Sequence, residues 1–166
     1  MSKRLFYGMS ILAGLAIGCI LRFFVFDVLY VSGKSMSPSL KEGEWVVLNK
    51  LAYGLFNPFE RNYLIRWDSP EKDDIVIFPM NNRYVIKRCV AVGGEALEFS
   101  HGREYSLTVG TKNILLIESQ YQRLKHAEYV PFDMVFVLGD NPEFSTDSRD
   151  YGFLSVDDIR GRVLWK

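Results

Sequence analysis

The sequence predicts a mainly β fold: an antiparallel, partly closed β domain lying outside a membrane, behind one N-terminal transmembrane helix. Three observations predict it. From Leu5 to Leu21 the chain carries no charged residue, with Lys3 and Arg4 before this run and Arg22 after it. Beyond Tyr30, continuous apolarity gives way to short runs rich in β-branched and aromatic residues, separated by Gly, Pro and Asp. Helical signals are nearly absent from this second part.

As a helix rising ~1.5 Å per residue, the uncharged run spans about 25 Å, slightly short of a ~30 Å hydrocarbon core. Arg22 can snorkel, and Phe23, Phe24, Phe26 and Tyr30 suit an interfacial aromatic belt. Lys3 and Arg4 favour a cytoplasmic N-terminus. Residues 1–4 are therefore expected inside, 5–22 as a single-pass anchor in the cell membrane, and 23–166 as an extracytoplasmic domain. Ala16-Ile17-Gly18 before Cys19 also carries the small residues of a signal-peptide cleavage site, and with Cys19 loosely resembles a lipobox. Ile20, Leu21 and the apolar residues Phe23 to Phe26 that follow favour an uncleaved span.

In the outer part, period-2 patterning predicts strands over Trp45–Asn49, Ile75–Phe78, Tyr84–Val92, Leu97–Phe99, Tyr105–Val109, Ile114–Ile117, Val135–Leu138 and Arg162–Trp165. Ser100-His101-Gly102-Arg103 reads as a hairpin turn. One short helix is expected at Val156–Arg160, with Ser155 as its cap and Gly161 after its end. About 135 residues suffice to bury a core without a metal or disulfide staple.

The chain has 166 residues, 48% hydrophobic and 24% charged, with a formal net charge of zero. This fits one domain plus an anchor and gives no basic field to recruit nucleic acid. Cys19 and Cys89 lie in different parts of the chain and make no disulfide framework. His101 and His126 have no carboxylate or cysteine cluster near them, so neither a metal nor another cofactor is expected.

A reactive pair stands out. Ser35, in Ser35-Met36-Ser37-Pro38-Ser39-Leu40, is an uncharged nucleophile just beyond the anchor. A serine hydroxyl needs a nearby base to take its proton, and both histidines read as solvated loop residues. Lys87 is different. On a strand over Tyr84–Val92 it shares a face with Val85, Cys89 and Ala91, between apolar Ile86 and Val90. Poor solvation lowers an amine's pKa; moving it from ~10.4 to near 7 takes about 3 units, or ~4–5 kcal/mol. Taken separately, serine beside glycine and proline is ordinary turn chemistry, and a strand lysine ordinarily faces solvent.

Five blocks in order give the pair a context. They are the anchor with Arg22-Phe23-Phe24-Val25-Phe26; Ser32-Gly33-Lys34-Ser35-Met36-Ser37-Pro38-Ser39-Leu40; Asp74-Ile75-Val76-Ile77-Phe78; Ile86-Lys87-Arg88-Cys89-Val90; and Gly139-Asp140-Asn141 with Ser145-Thr146-Asp147-Ser148-Arg149. In these blocks the chain resembles bacterial type I signal peptidases. The resemblance implies a serine endopeptidase that removes signal peptides from exported preproteins after small residues at −3 and −1. It implies Ser35 as nucleophile, neutral Lys87 as general base, and the Ser145 hydroxyl orienting the Lys87 amine. It further implies a supporting Asp147–Arg149 ion pair, Asp140 in the same scaffold, and Met36, Val85 and Ile86 in the substrate groove. The partners implied are exported preproteins and the lipid bilayer.

The chain departs from the family pattern in places. Pro142-Glu143-Phe144 replaces the usual Arg-Asp-Asn, Ser39 a threonine, and Gly33 a serine that in some relatives joins the oxyanion hole. Rival readings are a dedicated pilin or conjugation-type processing peptidase, an inactive preprotein-holding module, and a cytosolic Ser-Lys autoprotease, the last disfavoured by the N-terminal span.

Overall fold

The domain is organised by a seven-stranded antiparallel sheet in which sequence neighbours are often not spatial neighbours. The computed structural model describes residues 3–57, 60 and 62–165. Helix α1 (Lys3–Ile20) runs through a π-helical turn at Leu21–Val25 straight into β1 (Phe26–Tyr30). The stretch Tyr7–Val25 has a mean hydropathy of 2.0, is long and apolar enough to cross a membrane, and has 0% of its length buried in the domain. Residues 1 and 2 of the expected inner segment, and Lys166 at the end of the expected domain, lie outside the described residues.

The remaining strands are β2 (Trp45–Asn49), β3 (Gly54–Asn57), β4 (Asn62–Arg66), β5 (Ile75–Met80), β6 (Arg83–Val92), β7 (Glu98–His101), β8 (Tyr105–Val109), β9 (Lys112–Leu116), β10 (Met134–Leu138), β11 (Leu154–Ser155) and β12 (Gly161–Trp165). Helix α2 (Glu118–Leu124) follows β9 and the single turn α3 (Ser148–Tyr151) precedes β11. The main sheet has the order β1-β2-β12-β5-β6-β10-β11; β3-β4 form a hairpin and β7-β8-β9 a second small sheet. This is the mainly β antiparallel fold expected.

The central pair β5–β6 sets the site's register. Met80 pairs with Arg83, and Asn81 and Asn82 between them take positive φ of 50° and 61°. Both central residues in the left-handed region make a two-residue turn that matches strand twist, and Asn tolerates that region better than most residues. The register then puts Val76 opposite Lys87 and Phe78 opposite Val85. Phe78, Cys89 and Val137 pack on one side of this sheet, whereas Val90, Leu107 and Phe136 join the small sheet and α2. A third cluster, Val31, Met36, Leu40 and Val46, anchors the loop after β1.

Several elements differ from expectation. Phe26 and Tyr30 of the expected interfacial belt lie in strand β1, which no local pattern marks; its apolar Phe26, Val28 and Tyr30 are exposed, and no turn residue separates it from the helix. Strands β3 and β4 leave Leu64 and Ile65 exposed, so no inward alternation marks them. Helix α2 is preceded by Ile117 at its cap position, a residue with no capping side chain; Gln120 Oε1 instead accepts from the Ile117 N–H at 3.1 Å. His101 ends β7 rather than occupying the turn. The expected helix Val156–Arg160 is only a 3-10 turn, Val156–Asp158, although Ser155 does accept from the Asp157 N–H at 3.2 Å. Ile159 is fully buried and the Arg160 N–H donates to Ile77 O at 2.7 Å, so the sheet takes the backbone a longer helix needs.

Candidate active site

Ser35 sits on a loop whose shape is set on both sides by the core. Met36 and Leu40 are buried, the Leu40 N–H donates to Met36 O at 2.8 Å, and the Ser37 N–H to Lys34 O at 3.1 Å. Before the serine, Gly33 adopts φ +97° and its N–H donates to Glu42 Oε1 at 3.3 Å. Ser35 itself is half-buried, and its N–H donates to no group among the described residues.

Lys87 lies in β6 and is only 3% exposed. Among the described residues its amine enters no ion pair and no hydrogen bond. Burial drives its pKa below the ordinary lysine value; Asp147 opposes this, Arg149 reinforces it, Asp140 opposes it, and the balance is downward.

Ser35 and Lys87 line one cleft of about 700 Å³, together with Met36, Val85 and Ile86. Met36 is 2% exposed, so it forms wall rather than reaching into the space. The edge of β6 here is open. Pairing with β5 covers Arg83 to Arg88, but on the other side β10 begins only at Arg88, opposite Leu138. The stretch Arg83–Lys87 thus has one unpaired edge among the described residues, with backbone donors and acceptors free for an extended peptide.

Behind the cleft, Asp147 gathers five hydrogen bonds. Its Oδ2 accepts from Ser145 Oγ at 2.7 Å, Arg149 Nη2 at 2.9 Å and the Gly139 N–H at 3.0 Å. Its Oδ1 accepts from Arg149 Nε at 2.8 Å and the Arg149 N–H at 3.2 Å. Burial alone raises a carboxyl pKa and is the largest single influence; the Arg149, Gly139 and Ser145 bonds with the Arg149 charge outweigh it, holding Asp147 below the usual range. Asp140 instead takes a two-pronged bond from Arg88, at 2.8 and 2.7 Å.

These segments are in direct contact. The Asn141 N–H donates to Ser35 O at 2.9 Å, and a Cβ on Gly139 would lie 2.6 Å from both Ser35 O and Ser145 Cβ. Only glycine lets this backbone approach the Ser35 carbonyl and the Ser145 side chain so closely. Ser145, Asp147, Arg149 and Asp140 do not line the cleft; they brace it. The cleft also takes in residues that the sequence did not single out as groove residues: Lys34, Arg83, Tyr84, Phe144 and Thr146. Phe144 had a signal, as part of the departing Pro142-Glu143-Phe144 segment. Among the described residues, no three His, Cys, Asp or Glu side chains are grouped to hold a metal.

Comparison with known proteins bears on this arrangement. The family described as signal peptidase, peptidase S26, matches residues 4–166. A probable signal peptidase I-1 of Synechocystis is 31% identical over 94% of this chain and 78% of its own length. Signal peptidase I of Bacillus caldolyticus is 33% identical over 86% of this chain and 80% of its own. The crystal structure of a signal peptidase I from Enterococcus faecalis V583 is 27% identical, with a TM-score of 0.40 over 58% of this chain and 97% of that one. A match across nearly the whole chain, shared with relatives covered over most of their length, settles its membership: this chain belongs to the signal peptidase family, peptidase S26, and is one of its serine endopeptidases.

Proposed function

We propose that this chain removes N-terminal signal peptides from exported preproteins after small residues at −3 and −1, using Ser35 as nucleophile and neutral Lys87 as general base. One observation carries the reading: a half-buried serine and a buried lysine with no counter-ion among the described residues border the same cleft, beside the open edge of β6.

The chemistry follows from those positions. The substrate adds as an extended strand along Arg83–Lys87, its small side chains against Met36, Val85 and Ile86. The Ser35 hydroxyl proton passes to the Lys87 amine as Oγ bonds the scissile carbonyl carbon. The Ser35 N–H points to a donor for the resulting oxyanion; the Gly33 N–H is already engaged by Glu42. The Lys87 ammonium then gives its proton to the departing amine as the C–N bond breaks. A water, deprotonated by Lys87, cleaves the acyl-Ser35 ester and restores the hydroxyl. Ser145 spends its proton on Asp147, so its oxygen is left to accept from Lys87 and fix the amine's direction. Asp147 and Arg149 hold Ser145, and Asp140 holds Arg88 beside the base.

The apolar span supports the location. Residues 5–22 cross the cell membrane with residues 1–4 inside, and the domain from residue 23 works outside, where the tether concentrates it near membrane-held preproteins.

The test is to incubate purified protein with a preprotein and sequence the new N-terminus. Ser35→Ala and Lys87→Ala each abolish the cut, and the double variant is no worse because the pair acts as a unit. Lys87→Arg is equally inactive, since guanidinium keeps its proton. Turnover by Lys87→Arg, or activity that requires a metal, removes lysine from the role of base.

A further inference from the structure

The cleft is lined by cationic side chains and by no carboxylate among the described residues. Two of these cations, Lys34 and Arg83, are exposed, and neither side chain forms an ion pair or hydrogen bond with any described residue. Other basic residues around the site are committed, Arg88 to Asp140 and Arg149 to Asp147. The nearby acid Glu42 takes the Gly33 N–H and lies outside the lining, as does Glu143.

The two cations have different places. Lys34 directly precedes Ser35, and its ammonium stands 6.0 Å from the centroid of the ring of Phe144, which belongs to the departing Pro142-Glu143-Phe144 segment. Arg83 opens β6 four residues before Lys87, about 13 Å along the strand at ~3.3 Å per residue. A peptide on the open edge of β6 therefore passes Lys34 at the cut and Arg83 about four residues away.

We infer that Lys34 and Arg83 are specificity-determining residues that favour an acidic substrate residue at each of two places, one within about two positions of the scissile bond and one about four positions from it. The inference rests on reading this cleft as the peptide-binding site. An unpaired cation gains from an opposite charge and loses from a like one, and specificity is the difference between them. For exposed groups the effect is about two- to fivefold per pair, and salt weakens it.

The experiment uses one preprotein with its −3 and −1 residues held small. Asn, Asp or Lys is placed in turn at −6, −5, −4, −2, +1, +2 and +3, and kcat and KM are measured. Wild type is expected to cleave the Asp form about two- to fivefold better than the Asn form at one near and one remote position, mainly through KM, and the Lys form worse. Lys34→Gln flattens the near preference and Arg83→Gln the remote one. Lys34→Glu inverts the near preference so that Lys substrates win, a sign change that a structural defect does not produce. Equal cleavage of all three forms at every position by wild type overturns the inference while leaving the peptidase reading intact, as does a preference surviving in both Gln variants. Failure of wild type to cut even the Asn form overturns the peptidase reading and this inference with it.

Discussion

The Ser35 carbonyl accepts a 2.9 Å hydrogen bond from the Asn141 N–H, so the loop bearing the proposed nucleophile is tied to the turn after β10. That same turn holds Gly139, whose N–H binds Asp147, and leads into Ser145. Nucleophile loop and bracing network are therefore tied together by direct hydrogen bonds, and several consequences can be measured.

Gly139→Ala drives a methyl group against Ser35 O and Ser145 Cβ, both 2.6 Å from its ideal position. Overpacking of this kind costs ~1–3 kcal/mol, and misplacement of a reacting group by about 1 Å costs on the order of a hundredfold in rate. Thermal unfolding and kcat on a preprotein should both fall. Asn141→Ala, which keeps the backbone N–H, should change kcat little. If the glycine variant keeps full kcat, the contact has no bearing on the nucleophile.

Asp147→Asn leaves Arg149 buried without its counter-charge. Breaking a buried pair from one side costs ~3–5 kcal/mol, so denaturant midpoints should drop markedly at pH 7. The folded carboxyl titrates below the usual range. The stability it contributes is thus complete above the unfolded value of ~3.9 and lost as pH falls through the folded one. The gap between wild type and variant should narrow on acidification below about pH 4. A gap independent of pH would assign the effect to packing alone.

Burial lowers the Lys87 pKa, so folding favours release of its proton. The resulting destabilisation is absent above the unfolded value of ~10.4 and grows as pH falls towards the folded one. Lys87→Met should therefore be more stable than wild type at pH 7, with the difference vanishing near pH 10.4. In the wild type, kcat/KM should rise with pH through the deprotonation of the same amine. Urea titrations across this range that show a constant difference would contradict a neutral buried lysine.

Gly33 has φ +97° and open space around its missing Cβ. The penalty for Gly33→Ala is accordingly conformational, ~1–2 kcal/mol for an L residue in the left-handed region. Gly33→Ser should pay the same penalty and give no gain in kcat despite its hydroxyl. A faster Gly33→Ser enzyme would mean that the side chain reaches the oxyanion after all.

The sequence by itself determined where most of the sheet lies. Alternation and turn residues place Trp45–Asn49 and Tyr105–Val109 with the bounds observed, and six more strands within a residue or two, because an inward-facing period is written locally. Residue type and surroundings also singled out Ser35 and Lys87, and the ordered blocks that resemble type I signal peptidases gave them the roles of nucleophile and base. Local pattern was blind where apolar side chains face outward, as Phe26, Val28 and Tyr30 do in β1, and Leu64 and Ile65 in β4. Only the tertiary structure decided that β10 stops pairing at Arg88, leaving Arg83–Lys87 an open edge. It alone decided that Asp140 answers Arg88, and that the side chains of Lys34 and Arg83 line the cleft with no ion-pair partner among the described residues. The reason is physical: strand propensity depends on neighbours in the chain, but burial, charge partners and free edges depend on which strands meet in space.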